Sequence, residues 1–157
     1  CASSAEKVAF ARAHGADEGF DYAQGDLKLA LKAFGGSKGL DVVYDPVGGD
    51  MAEQALRALG SLGRFLVVGF AAGEIPKIPL NLLLLKNCDA RGVAFGTVAR
   101  SDPAWLAGVG AELMEHARTG RISAHVDKTF PLERCVDALG EIAGRRVRGK
   151  VVLTTGR

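Results

Sequence analysis

Short apolar segments alternate with segments of helical periodicity, and this alternation restricts the possible folds more than any other feature of the sequence. Residues 40–44 form an apolar run without regular polar alternation, which favours a strand buried on both faces of a parallel sheet. Further extended segments are predicted at residues 18–22, 64–69, 91–96, 123–130 and 149–154. Strands and helices in this order predict an α/β fold, a parallel sheet with right-handed crossovers and helices on both faces.

The helical segments begin at capping residues. Ser3 followed by Glu6 reads as a capping box and predicts a helix that reaches His14. Asp26 is expected to cap a second helix, and Asp50 with Glu53 to open a third. Further helices are predicted after Asn81, after Asp102-Pro103, and around residues 132–143. The predicted buried stripe of the helix after Asp102 is Leu106, Val109, Leu113 and Ala117, and the last helix is indicated by the spacing of Leu132, Val136, Leu139 and Ala143.

Composition and charge exclude several classes of protein. The 157 residues are compatible with one domain, and a net charge of +2 gives no argument for nucleic acid or a membrane surface as partner. The longest apolar run, residues 82–85, is far short of the ~20 residues of a membrane helix. The three cysteines lie far apart without a neighbouring histidine, so we expect no metal site and a reducing, cytoplasmic location. No signal peptide is visible, although the chain does not begin with Met.

A set of short motifs, in order along nearly the whole chain, resembles one enzyme family. The motifs are VVYDPVGG at residues 42–49, GRFLVVGF at 63–70, IPKIPLN at 75–81, GRI at 120–122, FPL at 130–132 and GKVVL at 149–153. Together they are similar to the medium-chain dehydrogenase/reductase superfamily, in particular its zinc-free NADPH:quinone oxidoreductase type.

The resemblance implies that residues 1–157 are a partial dinucleotide-binding domain with a Rossmann-like sheet. The first strand, the glycine-rich turn and its helix, and most of the second strand would be lacking, because no G-x-G-x-x-G occurs. The substrate domain of this family would lie upstream. We therefore expect the chain alone to bind NADPH weakly and to be inactive.

The first residues of the chain are candidates for the choice of cofactor. The resemblance places Ser3, Ser4 and Lys7 after the second strand, where NAD-dependent relatives carry an acidic residue. Hydroxyls and a cation suit a 2′-phosphate, so NADPH is the predicted cofactor. The alternative is a capped, solvated helix start.

The other candidate cofactor contacts follow strands or the last helix. By resemblance, Tyr22 would pack against the adenine ring, and a group after two neighbouring strands would lie beside the nicotinamide. That group is Val47, Gly48, Gly69, Phe70 and Ala71. Gly48 would let the backbone approach the cofactor closely. For each, the alternative is ordinary strand-end or turn chemistry.

Arg145 belongs to a basic cluster that follows the last predicted helix. The resemblance implies that it approaches the 2′-phosphate, and the alternative is a solvated helix end. Asp45 is interpreted as an exposed loop acid and not as a catalytic base. The three histidines are interpreted as structural or surface residues without an acidic or cysteine partner, so no catalytic residue is assigned.

The implied function is hydride transfer from NADPH to a small quinone or an activated C=C bond. An enoyl-thioester or alkenal reductase of the same superfamily remains an alternative, as do a non-catalytic nucleotide-binding module and a purely structural role. The resemblance also implies a homodimer formed through a sixth strand between Gly92 and Gly96, where the sequence holds no charge or proline that would prevent strand pairing.

Overall fold

The computed structural model describes residues 1–156 and divides the chain into two compact units. The first unit is Cys1–Val98, and the second begins at Ala99. The helix Phe95–Ser101 crosses the boundary between the two units.

The first unit contains a parallel sheet of three strands. Its elements are α1 (Ala5–Ala13), α2 (Leu27–Gly35), β1 (Leu40–Asp45), α3 (Asp50–Arg57), β2 (Leu59–Val67), α4 (Asn81–Lys86), β3 (Asp89–Gly92) and the start of α5 (Phe95–Ser101). The strand order is β1-β2-β3, and Phe65 of β2 lies opposite Val43 on one side and Ala90 on the other. The α/β fold class with a parallel Rossmann-like sheet is therefore confirmed.

The core of this unit lies between β2 and the helices that flank it in sequence. Ala52 and Leu56 of α3 pack with Leu59 and Phe65 of β2 and with Leu82 of α4, and all five side chains are buried. The helical spacing of Ala52 and Leu56 turns one face of α3 onto the sheet. Burial of a side chain such as Phe65 contributes about 1.5–3 kcal/mol.

β1 is the outer strand of this sheet, and one of its faces is open. Val42 and Tyr44 are 56% and 65% exposed, whereas Val43, between them, packs against the core. The prediction of a strand buried on both faces was wrong for β1, because the face that carries Val42 and Tyr44 is largely exposed.

The capping predictions are partly confirmed. Asp26 accepts a hydrogen bond from the Leu29 amide at 3.0 Å, as predicted. The cap of α1, however, is Ser4 and not Ser3, because the Ser4 hydroxyl accepts from the Lys7 amide at 3.2 Å. The third helix, α3, starts at Asp50 as predicted, but its N-cap residue is Gly49, and no side chain caps it.

Glu53 pairs with a side chain one turn further along α3. Its carboxylate lies 2.7 Å from the Arg57 guanidinium.

Two predicted strands differ in the structure. Residues 18–22 form only an isolated parallel bridge, in which the Ala2 amide donates to Phe20 and the Tyr22 amide to Ala2. The strand predicted at 91–96 is instead Asp89–Gly92, and Phe95 already begins α5. The expected homodimer contact through a strand between Gly92 and Gly96 therefore cannot form as predicted, because only Gly92 of this range belongs to a strand.

The second unit contains a pair of parallel strands and, after the end of α5, two further α-helices. Its elements are the rest of α5, α6 (Pro103–Arg118), β4 (Val126–Pro131), a 3-10 turn (Leu132–Arg134), α7 (Cys135–Ala143) and β5 (Lys150–Thr154). Asp102 caps α6 by accepting from the Trp105 amide at 2.9 Å. None of the helices described within residues 1–156 is long and apolar enough to span a bilayer.

The apolar stripes predicted for this unit are largely exposed. In α6, Leu106 and Leu113 are 39% and 49% exposed. In α7, Val136 and Leu139 are exposed, and the buried residue is Ala138. The prediction of the α6 stripe as a buried face was wrong, and the apolar residues that indicated α7 are largely exposed as well.

Candidate cofactor-binding site

The loops that follow β1 and β2 are joined by backbone hydrogen bonds at the carboxyl edge of the sheet. The Val68 amide donates to the Asp45 carbonyl at 2.9 Å, and the Ala72 amide donates to the Val47 carbonyl at 2.9 Å. Between them, the Ala71 amide donates to Pro46 at 3.1 Å. The ladder of the parallel pair thus continues beyond the strands and fixes both loops relative to each other.

The Asp45 side chain holds the first of these loops in place. Its Oδ1 accepts hydrogen bonds from the amides of Val47 at 2.8 Å and Gly48 at 3.0 Å. A carboxylate that accepts from the residues two and three further on forms an Asx turn. This structural task agrees with the interpretation of Asp45 as a loop acid, but the expectation that it is exposed was wrong, because the residue is half-buried.

Gly48 lies at the closest point between the two loops. Its backbone φ is +70°, and a Cβ there would lie 2.9 Å from Cδ1 of Phe70 and 3.3 Å from the Glu74 carbonyl oxygen. Gly69 faces the first loop in the same way, since its Cβ would lie 3.2 Å from the Pro46 oxygen. The structure therefore brings Val47, Gly48, Gly69, Phe70 and Ala71 together at one edge of the sheet, as predicted.

A mostly apolar cavity of about 350 Å³ opens beside these loops. Tyr22 and Val47, two of the predicted contacts, both line it. The other lining residues are Cys1, Leu27, Leu31, Val43, Tyr44, Asp45, Pro46, Met51 and Ala55. Sequence reasoning missed these other lining residues. The spacing of Leu27 and Leu31 by one helical turn is the signal that could have placed α2 at the wall of a cavity.

The start of α1 carries the three residues predicted to select the cofactor. The Lys7 ammonium lies 3.4 Å from the Ser3 hydroxyl, and Ser4 caps the helix. The bridge between Ala2 and Asp21 fixes this end of α1 beside Tyr22, because the Tyr22 amide donates to Ala2 at 3.1 Å. The backbone bridge thus places the start of α1, with Ser3, Ser4 and Lys7, close to Tyr22.

Arg145 lies in the second unit, in the turn after α7, with a left-handed φ of +55°. Next to it, hydrogen bonds from Arg146 and then Lys128 lower the pKa of Glu141 to about 2. The part of Arg145 in cofactor binding stays a prediction.

The histidines and cysteines form no metal centre among residues 1–156, where no three His, Cys, Asp or Glu side chains are placed to hold an ion. His14 Nδ1 lies 2.8 Å from the Phe10 carbonyl. The interpretation of His116 as lacking an acidic partner was wrong, because Glu112 lies 3.6 Å from its Nε2. Burial raises the pKa of the Cys88 thiol.

Known proteins similar to this chain are oxidoreductases. The family model described as zinc-binding dehydrogenase matches residues 1–108. Quinone oxidoreductase-like protein 2 of Rattus norvegicus is 40% identical over 153 residues, which make up 98% of this chain and 44% of that protein.

Solved structures of quinone oxidoreductases also match. The enzyme of Pseudomonas syringae pv. Tomato DC3000 has a TM-score of 0.85 at 27% identity, over 97% of this chain and 47% of that one. The Escherichia coli enzyme complexed with NADPH has a TM-score of 0.83 at 26% identity, over 96% and 47%. The chain spans less than half the length of these relatives. It belongs to the zinc-binding dehydrogenase family of the medium-chain dehydrogenase/reductase superfamily.

Proposed function

We propose that this chain is the nucleotide-binding part of an NADPH-dependent oxidoreductase that transfers hydride to a quinone or an activated C=C bond. Family membership and the NADPH complex of the Escherichia coli relative support this proposal. When bound, NADPH would supply the hydride, and the residues of the chain would bind and orient it. We assign no catalytic side chain to this chain.

The observation that carries the choice of NADPH is the start of α1. The Lys7 ammonium lies 3.4 Å from the Ser3 hydroxyl, and the Ser4 hydroxyl caps the same turn. A cation next to hydroxyl donors complements a 2′-phosphate, whereas an acidic residue there would bind the ribose hydroxyls of NAD. Because the Ser4 hydroxyl caps the helix, we assign recognition of the 2′-phosphate to Ser3 and Lys7.

The carboxyl edge of the sheet fits the other end of the cofactor. Gly48 and Gly69 leave the loops without side chains where a Cβ would crowd the facing loop. Val47, Phe70 and Ala71 would then flank the nicotinamide. Tyr22 lines the adjacent cavity and would pack its flat ring against the adenine. Arg145 is proposed as a second contact to the 2′-phosphate.

Replacement of Lys7 tests the cofactor assignment. In the intact protein, Lys7→Ala should weaken NADPH binding about tenfold, because a charge-assisted contact contributes about 1.5 kcal/mol or more. NADH binding should be nearly unchanged. The matched control is Arg12→Ala, which removes one positive charge from the same helix at a residue paired with Glu18 at 3.6 Å. Equal losses for NADPH and NADH would contradict the assignment.

An enoyl-thioester or alkenal reductase is the second candidate. The 2-haloacrylate reductase of a Burkholderia species is 28% identical over 156 residues, and an acrylate carries an activated C=C bond. Oxidation of NADPH by the intact protein in the presence of a quinone or of an enone distinguishes the two. Nucleotide binding without turnover of either would favour a non-catalytic module.

The proposal includes a homodimer and a cytoplasmic location. β3 is an outer strand of the described sheet, and an open strand edge can pair with its symmetry mate. Sedimentation equilibrium at micromolar concentration tests the dimer, and a monomer would contradict it. Three free thiols suit a reducing compartment, which cell fractionation can test.

A further inference from the structure

A second cavity of the first unit lies at the opposite end of the strands from the loops described above. It has a volume of about 410 Å³ and is lined by the residues before β1, by the start of β2, and by the carboxyl end of α4. The parallel strands begin here, at Leu40 and Leu59, whereas the proposed cofactor contacts follow their carboxyl ends. The two cavities share no lining residue.

The lining of this second cavity is strongly basic. Lys28, Lys32, Lys38, Lys86 and Arg57 all contribute to it, in a chain whose net charge is only +2. No acidic side chain is among the lining residues. Arg57 is neutralised by Glu53 at 2.7 Å, but no ion pair among residues 1–156 involves the four lysines. Four ammonium groups are therefore available to a ligand.

The carboxyl ends of three helices lie at the same cavity, and their partial negative charges disfavour the binding of an anion. Residues at the ends of α2, α3 and α4 line it. Each helix end carries at most about half a negative charge, so the three together contribute about −1.5. Four lysines exceed this sum by more than two charges. Interaction with the helix ends therefore accounts for only part of the positive charge of the four lysines.

The frame of the cavity is rigid. Gly39 has a φ of +77°, and a Cβ there would lie 2.5 Å from the Gly60 nitrogen. A Cβ on Gly60 would lie 2.0 Å from the Lys38 oxygen, so two glycines let the segments before β1 and at the start of β2 touch. The Ser61 hydroxyl accepts a hydrogen bond from the Asn87 side-chain Nδ2 at 3.1 Å, which ties the end of α4 to the same wall.

We propose that this second cavity binds a diphosphate group, either as a free polyphosphate or as part of a nucleotide. Its four lysines match the charge of a diphosphate, and Ser37 and Ser61 add hydroxyl donors. No aromatic side chain lines it, so the base-stacking platform of a nucleic-acid site is missing. Recognition rests on phosphate charge, and the site is separate from that of the proposed cofactor.

Calorimetric titration of the intact protein with inorganic pyrophosphate tests this site. We expect a dissociation constant below about 1 mM. Lys28→Gln/Lys32→Gln should weaken binding about tenfold, at about threefold for each exposed lysine. Glutamine keeps helix propensity in α2, and circular dichroism checks that the fold is unchanged. The matched control, Lys77→Gln/Arg91→Gln, removes the same charge from residues that do not line the cavity and should bind as wild type.

Four results would overturn the proposal. Absence of binding at millimolar pyrophosphate would remove the site. Equal weakening in the two double variants would mean a general charge effect. Loss of binding in Lys7→Gln, with Lys28→Gln/Lys32→Gln unaffected, would place the diphosphate at the nucleotide site. ADP should bind no more tightly than pyrophosphate, and a tenfold gain from the adenosine would contradict recognition by phosphate charge.

Discussion

Gly48→Ala perturbs the contact between the two loops at the carboxyl edge, and its cost can be worked out from the structure. A left-handed φ of +70° costs an alanine about 1–2 kcal/mol relative to glycine. The new Cβ would also lie 2.9 Å from Phe70 Cδ1, an overpacking that costs about 1–3 kcal/mol. We expect the two terms together to lower the free energy of unfolding by about 2–5 kcal/mol.

Gly73→Ala is the matched control, because Gly73 has a φ of +88° but nothing within 4 Å of its Cβ position. It should show only the backbone cost of about 1–2 kcal/mol. Urea unfolding gives both values, and the same comparison in a Phe70→Ala background isolates the Phe70 contact. Equal costs at Gly48 and Gly73, or a cost at Gly48 that does not change without Phe70, would refute the reasoning.

The remaining predictions concern the second unit. Glu141, whose pKa is lowered to about 2, should stabilise the protein relative to Glu141→Gln above about pH 4.3, and this difference should disappear as the pH falls through about 2; a pH-independent difference in urea midpoints would contradict it. Gly149→Ala should destabilise the β4–β5 pair by more than Gly120→Ala in urea unfolding, because a Cβ on Gly149 would lie 2.6 Å from the His125 oxygen while that on Gly120 has nothing within 4 Å. Similar costs would show that the His125 contact is relieved by a small movement.

The sequence predicted local structure where one signal dominated. Asp26 and Asp102 cap their helices as their position before apolar segments indicated. Residues 40–44 form a strand, as a short apolar run after Gly36 and Gly39 indicated, because such a run is too short for a buried helix. At the start of the chain, Ser3 and Ser4 offered the same hydroxyl, and the choice of Ser4 depends on backbone geometry that the letters do not contain.

Burial could not be predicted as well as secondary structure. The spacing of Leu132, Val136 and Leu139 indicates an apolar stripe, yet periodicity does not say what covers it, and Val136 is 75% exposed. Residues 93–96 read as a continuation of β3, but the pairing depends on β2, whose last paired residue is Val67, opposite Gly92. The basic cavity escaped sequence analysis because Lys28, Lys38 and Lys86 come from distant segments.

The hydrogen bonds at the carboxyl edge also limit what this edge can bind. The amides of Val47 and Gly48 are taken by the Asp45 side chain, and that of Gly49 by the Glu74 carbonyl. In the second loop, the amides of Ala71, Ala72 and Gly73 donate to loop carbonyls. A phosphate binds best to an array of unpaired amides, and these six amides are already paired.

A flat, largely uncharged ring needs only space and an apolar wall. Val47 lines the apolar cavity, and Gly48 lets Phe70 pack closely against the first loop. Within the proposed function, the loops after β1 and β2 therefore suit the nicotinamide, and phosphate recognition falls to residues elsewhere in the chain. Because the proposed function assigns the 2′-phosphate to Lys7, Lys7→Ala should separate NADPH from NADH, while changes at Gly48 should affect both cofactors alike.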